Sequence, residues 1–442
     1  MLKLHQILKN YDLMYLITGR VIQIVISLVS IRILTTLLEP KEVGNYYLIL
    51  SLCFFFSFIL LNPLATYVSR NIVEWETQNI VITGYFFFVV IVISLSALSI
   101  YIATNFYNYM NYYEKFDYLN FAVVLGGVCI ISCIHRNTLT IINILHEKKM
   151  FVVFLTSSLA LALIFSVAFT LLVAPSAIHW FYGLICAELF MLPLILRYFW
   201  SFHNEQAKFW VMDHVFSAPK VLKFCTPIFV SNIFLWSQLY LYRIIVDNRY
   251  GLEILAVLGV SIAITSAVFV SIESLVSQYH YPKFLKNIRG KPNKARGDAW
   301  NNLAAQAIPV YVFTALFLLA VGKSLLQLLT DEIFHSAYML TLIAVFAEFF
   351  RVVANLLNYA LQSEYKTKLS IMPYFCGVVL STSSLLIYDH SEYPDGIVWI
   401  LSLANLVTLC RKCHDEVDRN NILIDGYHDT IKGKKLKVKI KK

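Results

Sequence analysis

The sequence predicts an all-α integral membrane protein of about twelve transmembrane helices, from its composition, its apolar runs and the placement of its basic residues. Of the 442 residues, 59% are hydrophobic and only 14% are charged. A soluble protein of ordinary composition carries roughly a quarter charged residues. Most of this chain must therefore contact lipid or other helices.

The apolar runs have the length that a membrane crossing requires. A helix needs about 20 predominantly apolar residues to cross the hydrocarbon core. The predicted spans are 13–38, 45–68, 80–103, 119–145, 151–173, 177–199, 225–246, 252–272, 302–329, 337–361, 369–388 and 395–410. The first span is too long, and too interrupted by Arg20 and Arg32, for a cleaved signal peptide.

The basic residues are distributed unequally between the two sides of the membrane. With the N-terminus inside, 27 of the 36 Lys and Arg residues fall in cytoplasmic segments. The opposite loops hold Lys41, Lys115 and Arg249, and the remainder lie within helices. Cytoplasmic loops are enriched in Lys and Arg. The net charge of +9 is therefore explained by topology rather than by nucleic-acid binding, and both termini are predicted to be cytoplasmic.

The chain divides into two sets of six spans. We predict an N-terminal lobe over 1–199, an amphipathic linker on the inner leaflet over 200–224, and a C-terminal lobe over 225–410. Two six-helix sets of the same orientation suggest parallel repeats. The basic tail, 411–442, is either attracted to anionic lipid or a solubilising extension.

Basic residues within the spans are the strongest functional signal. They are Arg20, Arg32, Arg136, Arg243, Lys323 and Arg351. A charge at the bilayer centre is costly and usually faces a water-filled cavity. Arg32, Arg243 and Lys323 lie near helix ends, where the alternative is that they reach the headgroups. Arg20 and Arg136 lie deep enough that reaching the headgroups is awkward, so for these two the sequence favours a cationic cavity that binds an anionic group such as a phosphate or pyrophosphate.

Acidic residues within the spans are fewer. Glu188 and Glu348 are intramembrane and Asp247 lies at a helix edge. They are candidates for H⁺ or Na⁺ coupling; the alternative is that they neutralise nearby arginines. The spacing predicts pairs between Glu348 and Arg351 at i, i+3 and between Arg243 and Asp247 at i, i+4. No other cofactor is predicted.

The sequence offers little support for enzymatic chemistry or for a metal site. The loops on the outer side are short, and no outer domain is present to hold an active site. Cys410-Arg-Lys-Cys413-His414 has the spacing of a haem-attachment motif. The predicted topology places it in the cytoplasm, and as a zinc site it is incomplete. We therefore predict neither a metal site nor catalysis.

Several residues resemble a family of bacterial polysaccharide transporters. The stretch from Arg32 through Pro40, Glu42 and Gly44 to Tyr47 resembles its first-to-second helix signature. Further similarity lies in Asn62-Pro63, Tyr67 and Arg70, and in the second half in Arg243, Gly251, Glu253 and Gly259. These residues resemble the O-antigen (Wzx-type) flippase branch of the multidrug/oligosaccharidyl-lipid/polysaccharide (MOP) exporter superfamily.

The resemblance implies a fold and a substrate. The expected fold has two six-helix lobes around a central cavity that opens to each membrane face in turn. The expected substrate is an undecaprenyl-pyrophosphate-linked oligosaccharide of O-antigen or capsule type, moved from the inner to the outer leaflet of the bacterial inner membrane. Lipid and polysaccharide assembly proteins are the other expected partners. The alternatives are a cation-coupled multidrug exporter of the same superfamily and, with less support, a membrane-embedded polysaccharide polymerase.

Overall fold

The computed structural model describes residues 2–109, 117–145, 148–201, 217–288, 293–363, 371–387 and 395–407. The regular elements in these ranges are all helical. The long helices are α1 (Leu2–Leu37), α2 (Pro40–Thr77), α3 (Val81–Tyr109), α4 (Tyr118–Ile144), α5 (Lys148–Leu172), α6 (Ala177–Ser201), α7 (Ala218–Tyr250), α8 (Leu252–Ile288), α9 (Asn293–Leu329), α10 (Tyr338–Ser363), α11 (Ile371–Ile387) and α12 (Asp395–Val407). A short 3₁₀ helix, Glu332–Ala337, precedes α10.

These helices confirm the predicted all-α membrane fold. In the described ranges, α1 to α10 are long and apolar enough to cross a membrane, and α11 and α12 are shorter apolar helices. Each matches one predicted span. Most of the predicted linker, the tail over 411–442 and the motif from Cys410 to His414 lie outside the described residues.

Two helix boundaries differ from the prediction in ways that matter for the site. Helix α2 begins at Pro40, because proline suits the first turn of a helix, where its missing N–H has no partner to lose. Helix α8 continues to Ile288, through a segment that the sequence assigns to an inner loop. This extension places Glu273 within a helix.

Three helices contain a π-helical turn, a wider turn made by one additional residue. Within the described residues these turns are Ser57–Leu61 in α2, Val128–Ser132 in α4 and Ser237–Leu241 in α7. Beside the first, the Asn232 side chain donates to the Phe58 carbonyl at 2.7 Å. The wide turn in α2 thus has a backbone carbonyl that accepts a hydrogen bond from a side chain of another helix.

Much of the helix surface is apolar. Phe86, Val90 and Ile93 form an exposed apolar stripe on α3. Exposed apolar stripes on a helix of membrane-crossing length are expected to contact lipid. Helix α1 packs along α5, where Gly19 allows a close approach to Val152.

The chain forms two compact units. The first extends up to Ile264 and includes Leu325–Ala337; the second comprises the other described residues. The first unit contains helices from both halves of the sequence, α1 to α7 with the start of α8 and the end of α9. The second unit contains the rest of α8 and α9 with α10 to α12.

Candidate functional site

The family-like signature residues connect helix ends within the first unit. Arg32 donates a hydrogen bond to the carbonyl of Thr330, the residue that follows α9. The C-terminal end of a helix carries partial negative charge, which favours a cation. Glu42 accepts a hydrogen bond at 2.8 Å from the backbone N–H of Ala177, at the start of α6. Arg32 and Glu42 therefore cap other helices, and the Arg32 side chain is engaged in its hydrogen bond to Thr330.

The signature glycines allow two helices to approach closely. A Cβ on Gly44 would lie 2.8 Å from the carbonyl carbon of Leu252, and one on Gly259 would lie 2.6 Å from Cγ of Tyr47. Both distances are too short for real side chains, so α2 and α8 meet where only glycine fits. Between α7 and α8, Gly251 adopts a φ of 87°, which glycine tolerates best.

Arg243 is buried in a cage of aromatic rings. Its guanidinium carbon lies 5.2 Å from the centre of the Tyr47 ring, 5.1 Å from that of Tyr240 and 5.7 Å from that of Tyr242. Nη1 donates to the Tyr47 carbonyl and to Ser51 Oγ, both at 3.3 Å. The side chain thus binds α7 to α2. Its predicted pairing with Asp247, which is also buried, stays a prediction.

In the second unit, Arg351 bridges two carboxylates. Its Nε donates to Glu348 at 2.8 Å, which confirms the predicted i, i+3 pair, and its Nη1 donates to Glu273 at 3.0 Å. Asn355 donates to the other oxygen of Glu273 at 2.8 Å. With both carboxylates ionised, the three side chains carry a net charge of −1. Arg351 therefore attracts a phosphate far less than an unpaired arginine would.

In the part of the chain that the structure describes, the three remaining basic residues within the spans, Arg20, Arg136 and Lys323, have no carboxylate partner of the kind that Arg351 has. Arg20 is half-buried in α1 and donates to Gln23, one turn further on. Lys323 is exposed in α9, with Nζ 5.3 Å from the ring centre of Tyr338. Among the described residues, neither Arg20 nor Arg136 forms an ion pair. Neither arginine is therefore neutralised by a direct ion pair within the described part of the first unit, although Glu188 lies near Arg136.

Arg136 and Glu188 meet through one residue, Ser132. Nε of Arg136 donates to the Ser132 carbonyl at 3.2 Å. The Ser132 hydroxyl donates to a carboxylate oxygen of Glu188, which comes from α6. The terminal amino groups of Arg136 have no protein acceptor in the described parts of the chain, and the side chain is exposed. The guanidinium is thus held at one nitrogen and presents the other two outward.

Other polar residues are exposed on the two helices α2 and α4. Thr140 lies one turn beyond Arg136 on the exposed face of α4, and Asn62 and Thr66 lie one turn apart on the exposed face of α2. The Asn62 amide makes no hydrogen bond to another described residue. An unpaired amide facing hydrocarbon costs several kcal/mol, roughly 4–8 on an alkane scale, so this face is expected to contact water.

The exposed polar residues of α2 and α4 lie on the same side of the helix pair. The two helices run in the same direction because α3 returns the chain between them, and Asn137 Nδ2 contacts the Ala65 carbonyl at 3.5 Å where they meet. At about 100° per residue, Asn62 and Thr66 are rotated from Ala65 in one sense. Arg136 and Thr140 are rotated from Asn137 in the other. For parallel helices in contact, these rotations bring both pairs to one face, which we call the α2–α4 polar face.

The structure thus separates the predicted site residues rather than gathering them. It brings Arg136 to Glu188, and Arg351 to Glu348, whereas Arg20, Arg32, Arg243 and Lys323 each have other partners. Ser132 and Glu273 were missed by the sequence analysis. Glu273 was assigned to a loop, although its distance from the charged 283–296 segment was a signal that the span continues.

Sequence comparisons give no relative, but the fold has clear matches. No family model matches the sequence, and no curated protein is similar enough to align with it. A MOP superfamily transporter from Pyrococcus furiosus is similar in structure, with a TM-score of 0.63 and 10% identity over 93% of this chain and 95% of that one. The chain has the fold of the MOP superfamily transporters. A mutant of the Vibrio cholerae MATE transporter VcmN matches with a TM-score of 0.65 and 11% identity over 93% and 96% of the two chains.

A flippase is also among the structures with the MOP fold. The lipid II flippase MurJ, in an inward closed conformation, matches with a TM-score of 0.61 and 12% identity, over 90% of this chain and 86% of that chain. At such identities the likeness establishes the fold alone. The MOP fold and the apolar helices show that the chain is a multi-pass membrane protein.

Proposed function

We propose that this chain is a flippase for an undecaprenyl-pyrophosphate-linked oligosaccharide repeat unit, of O-antigen or capsule type. It moves this lipid from the inner to the outer leaflet of the bacterial inner membrane, with both of its termini in the cytoplasm. The substrate and polysaccharide assembly proteins are its partners, and it carries out no covalent chemistry.

The observation that carries the proposal is the free guanidinium of Arg136 on the α2–α4 polar face. Insertion of an arginine at the centre of a membrane helix costs about 2.5–3.5 kcal/mol. This cost is offset where water or an anion can reach the guanidinium. A pyrophosphate supplies several oxygens that can accept from the unpaired N–H groups of Arg136. Arg20, also without an ion pair, is the second residue that we assign to the headgroup.

The mechanism follows from the proposed placement of charge. In this proposal, Arg20 and Arg136 attract the pyrophosphate into a water-filled cavity while the prenyl chain remains in lipid, and the predicted lobes are 1–199 and 225–410. Arg351, balanced by two carboxylates, contributes less to this attraction than the sequence suggested. Rocking of the lobes then exposes the headgroup to the outer side.

The MATE structures support a second candidate, a cation-coupled multidrug exporter. Arg20 and Arg136, which form no ion pair among the described residues, argue against it, because they repel cationic drugs. Pocket charge is informative in this fold: a reverse-polarity binding pocket in the Pyrococcus furiosus transporter suggests a different function for that protein. Resistance to cationic dyes on overexpression would favour the exporter.

The test is to remove the unpaired cations and measure surface polysaccharide in the source bacterium. Arg20→Ala and Arg136→Ala should each abolish or strongly reduce it without lowering the amount of protein in the membrane. Arg136→Lys should retain part of it, because the charge remains. Lys323→Ala is the matched control and should leave polysaccharide unchanged. Normal polysaccharide in both Arg20→Ala and Arg136→Ala would refute the proposal.

A further inference from the structure

The α2–α4 polar face reverses the surface pattern of a lipid-facing helix. In α2 over 62–70 and in α4 over 133–144, all of the exposed residues are polar. They are Asn62, Thr66, Arg70, Arg136 and Thr140. The middle of α3, by contrast, exposes the apolar stripe described above. Polar residues in membrane helices usually face a cavity rather than lipid, so the composition of this face suits a polar ligand.

The two threonines of this face present acceptors rather than donors. The Thr66 hydroxyl donates to the Asn62 carbonyl at 2.8 Å, and the Thr140 hydroxyl donates to the Arg136 carbonyl at 2.8 Å. A hydroxyl group has one proton and two lone pairs. Because the proton is used within the helix, each threonine oxygen is left to accept a hydrogen bond from a ligand.

A phosphate alone does not match this set of groups. An ionised phosphate has acceptors but no donor, so it suits the terminal N–H groups of Arg136 and not the oxygens of Thr66 and Thr140. A ligand that fills the face beside Arg136 must therefore supply donors. The Asn62 side chain, which makes no hydrogen bond to another described residue, offers two donors and an acceptor. A sugar hydroxyl both donates and accepts, so it can pair with all three uncharged side chains.

The uncharged groups lie close to the guanidinium along the helix axes. On each helix the two facing residues are one turn apart, which is about 6 Å. The helices meet where Asn137, next to Arg136, contacts the Ala65 carbonyl, next to Thr66. The polar residues of α2 and α4 are therefore at similar heights. A sugar attached to a phosphate at Arg136 would lie within reach of them.

We infer that the α2–α4 polar face binds the first sugar of the lipid-linked substrate. Arg136 holds the phosphate, hydroxyl groups of the attached sugar donate to Thr66 and Thr140, and the Asn62 amide exchanges hydrogen bonds with the same sugar. These three uncharged residues are specificity-determining residues that favour a glycosylated pyrophosphate over a bare one. The inference rests on the proposed function and adds to it the contact made by the sugar.

The size of the expected effect follows from the number of hydrogen bonds. One neutral hydrogen bond contributes about two- to tenfold in affinity. Thr66→Val and Thr140→Val preserve the branched shape of the side chain and remove the acceptor. Each should therefore reduce the affinity for a glycosylated ligand by about this factor, and Asn62→Leu should do the same. None of the three should weaken the binding of a ligand that has no sugar.

The experiment measures the Kd of two probes for the purified full-length protein in lipid nanodiscs. The probes are farnesyl pyrophosphate and farnesyl pyrophosphate that carries one N-acetylglucosamine on its terminal phosphate. The wild type should bind the glycosylated probe at least about tenfold more tightly, and Thr66→Val combined with Thr140→Val should lose most of this preference. Thr36→Val is the matched control and should keep it, because Thr36 is also exposed and its hydroxyl donates to the Arg32 carbonyl at 2.8 Å.

The two probes separate failure of this inference from failure of the proposed function. Equal affinity of the wild type for both probes overturns the inference, as does an unchanged preference in the double threonine variant or an equal loss of affinity for both probes in that variant. The proposed function survives each of these results if Arg136→Ala weakens the binding of farnesyl pyrophosphate. Absence of binding of either probe by the wild type, or unchanged binding by Arg136→Ala, overturns the proposed function and the inference with it.

Discussion

The contact between Gly44 and Leu252 yields a prediction with a definite sign. In Gly44→Ala, the new Cβ would lie 2.8 Å from the Leu252 carbonyl carbon and 2.9 Å from Leu252 Cβ. The Leu252 carbonyl oxygen is nearer still. Carbon atoms in contact prefer about 3.5–4.0 Å, so α2 and α8 must separate by at least roughly 0.6–1.2 Å, the difference from the two carbon distances. Overpacking of this kind costs about 1–3 kcal/mol, which is more than alanine gains over glycine within a helix, about 0.8–1 kcal/mol.

A matched variant makes this prediction sharp. Gly297 also lies in a helix, but a Cβ there would have nothing within 4 Å. Gly297→Ala should therefore be neutral or stabilising, whereas Gly44→Ala should be destabilising. Thermal unfolding of both purified variants in detergent, followed by tryptophan fluorescence, measures the difference. An unfolding temperature for Gly44→Ala equal to or above that of Gly297→Ala would refute the close approach of α2 and α8.

Two further predictions concern the arginines that the structure places in contacts with protein. Arg243→Lys keeps the charge but loses the planar guanidinium among its three tyrosine rings, so we expect a loss of about 1–2 kcal/mol of stability. Lys323→Arg is the control at an exposed position. Equal unfolding temperatures for Arg243→Lys and Lys323→Arg would contradict a stabilising role of the tyrosine cage around Arg243. Arg351→Gln should cost about 3–5 kcal/mol, because it leaves two carboxylates buried without their cation. Adding Glu273→Gln and Glu348→Gln to Arg351→Gln should restore much of the lost stability in the same thermal assay. If stability is not restored, the charge balance between Arg351 and its two carboxylates is not what holds this site together.

The sequence was sufficient to predict the helices, because lipid imposes a simple rule. Every span longer than about 20 apolar residues must cross as a helix, since hydrocarbon offers no partner for unpaired backbone groups. Boundaries were harder to predict: the amphipathic C-terminal end of α2 continues to Thr77, where apolarity has already ceased. Helix continuation there is maintained by tertiary packing, which the local pattern does not contain.

The candidate site was only partly predictable. The depth of Arg20 and Arg136 in apolar runs identified both as unusual, and the spacing of Glu348 and Arg351 identified a real pair. The partners of Arg32 and Arg243 are distant in sequence, so no local spacing could show them. Ser132 became significant only because a π turn and the packing of α6 bring Glu188 to its hydroxyl.

The wide turn at Ser57–Leu61 affects which way the C-terminal half of α2 faces. One additional residue rotates everything after it by about 100° around the helix axis. A helical wheel drawn through α2 as a uniform spiral would point Asn62 and Thr66 a quarter of a revolution away from the surface that they occupy. Gaining or losing a single residue in this segment would therefore change the orientation of the second half more than its length.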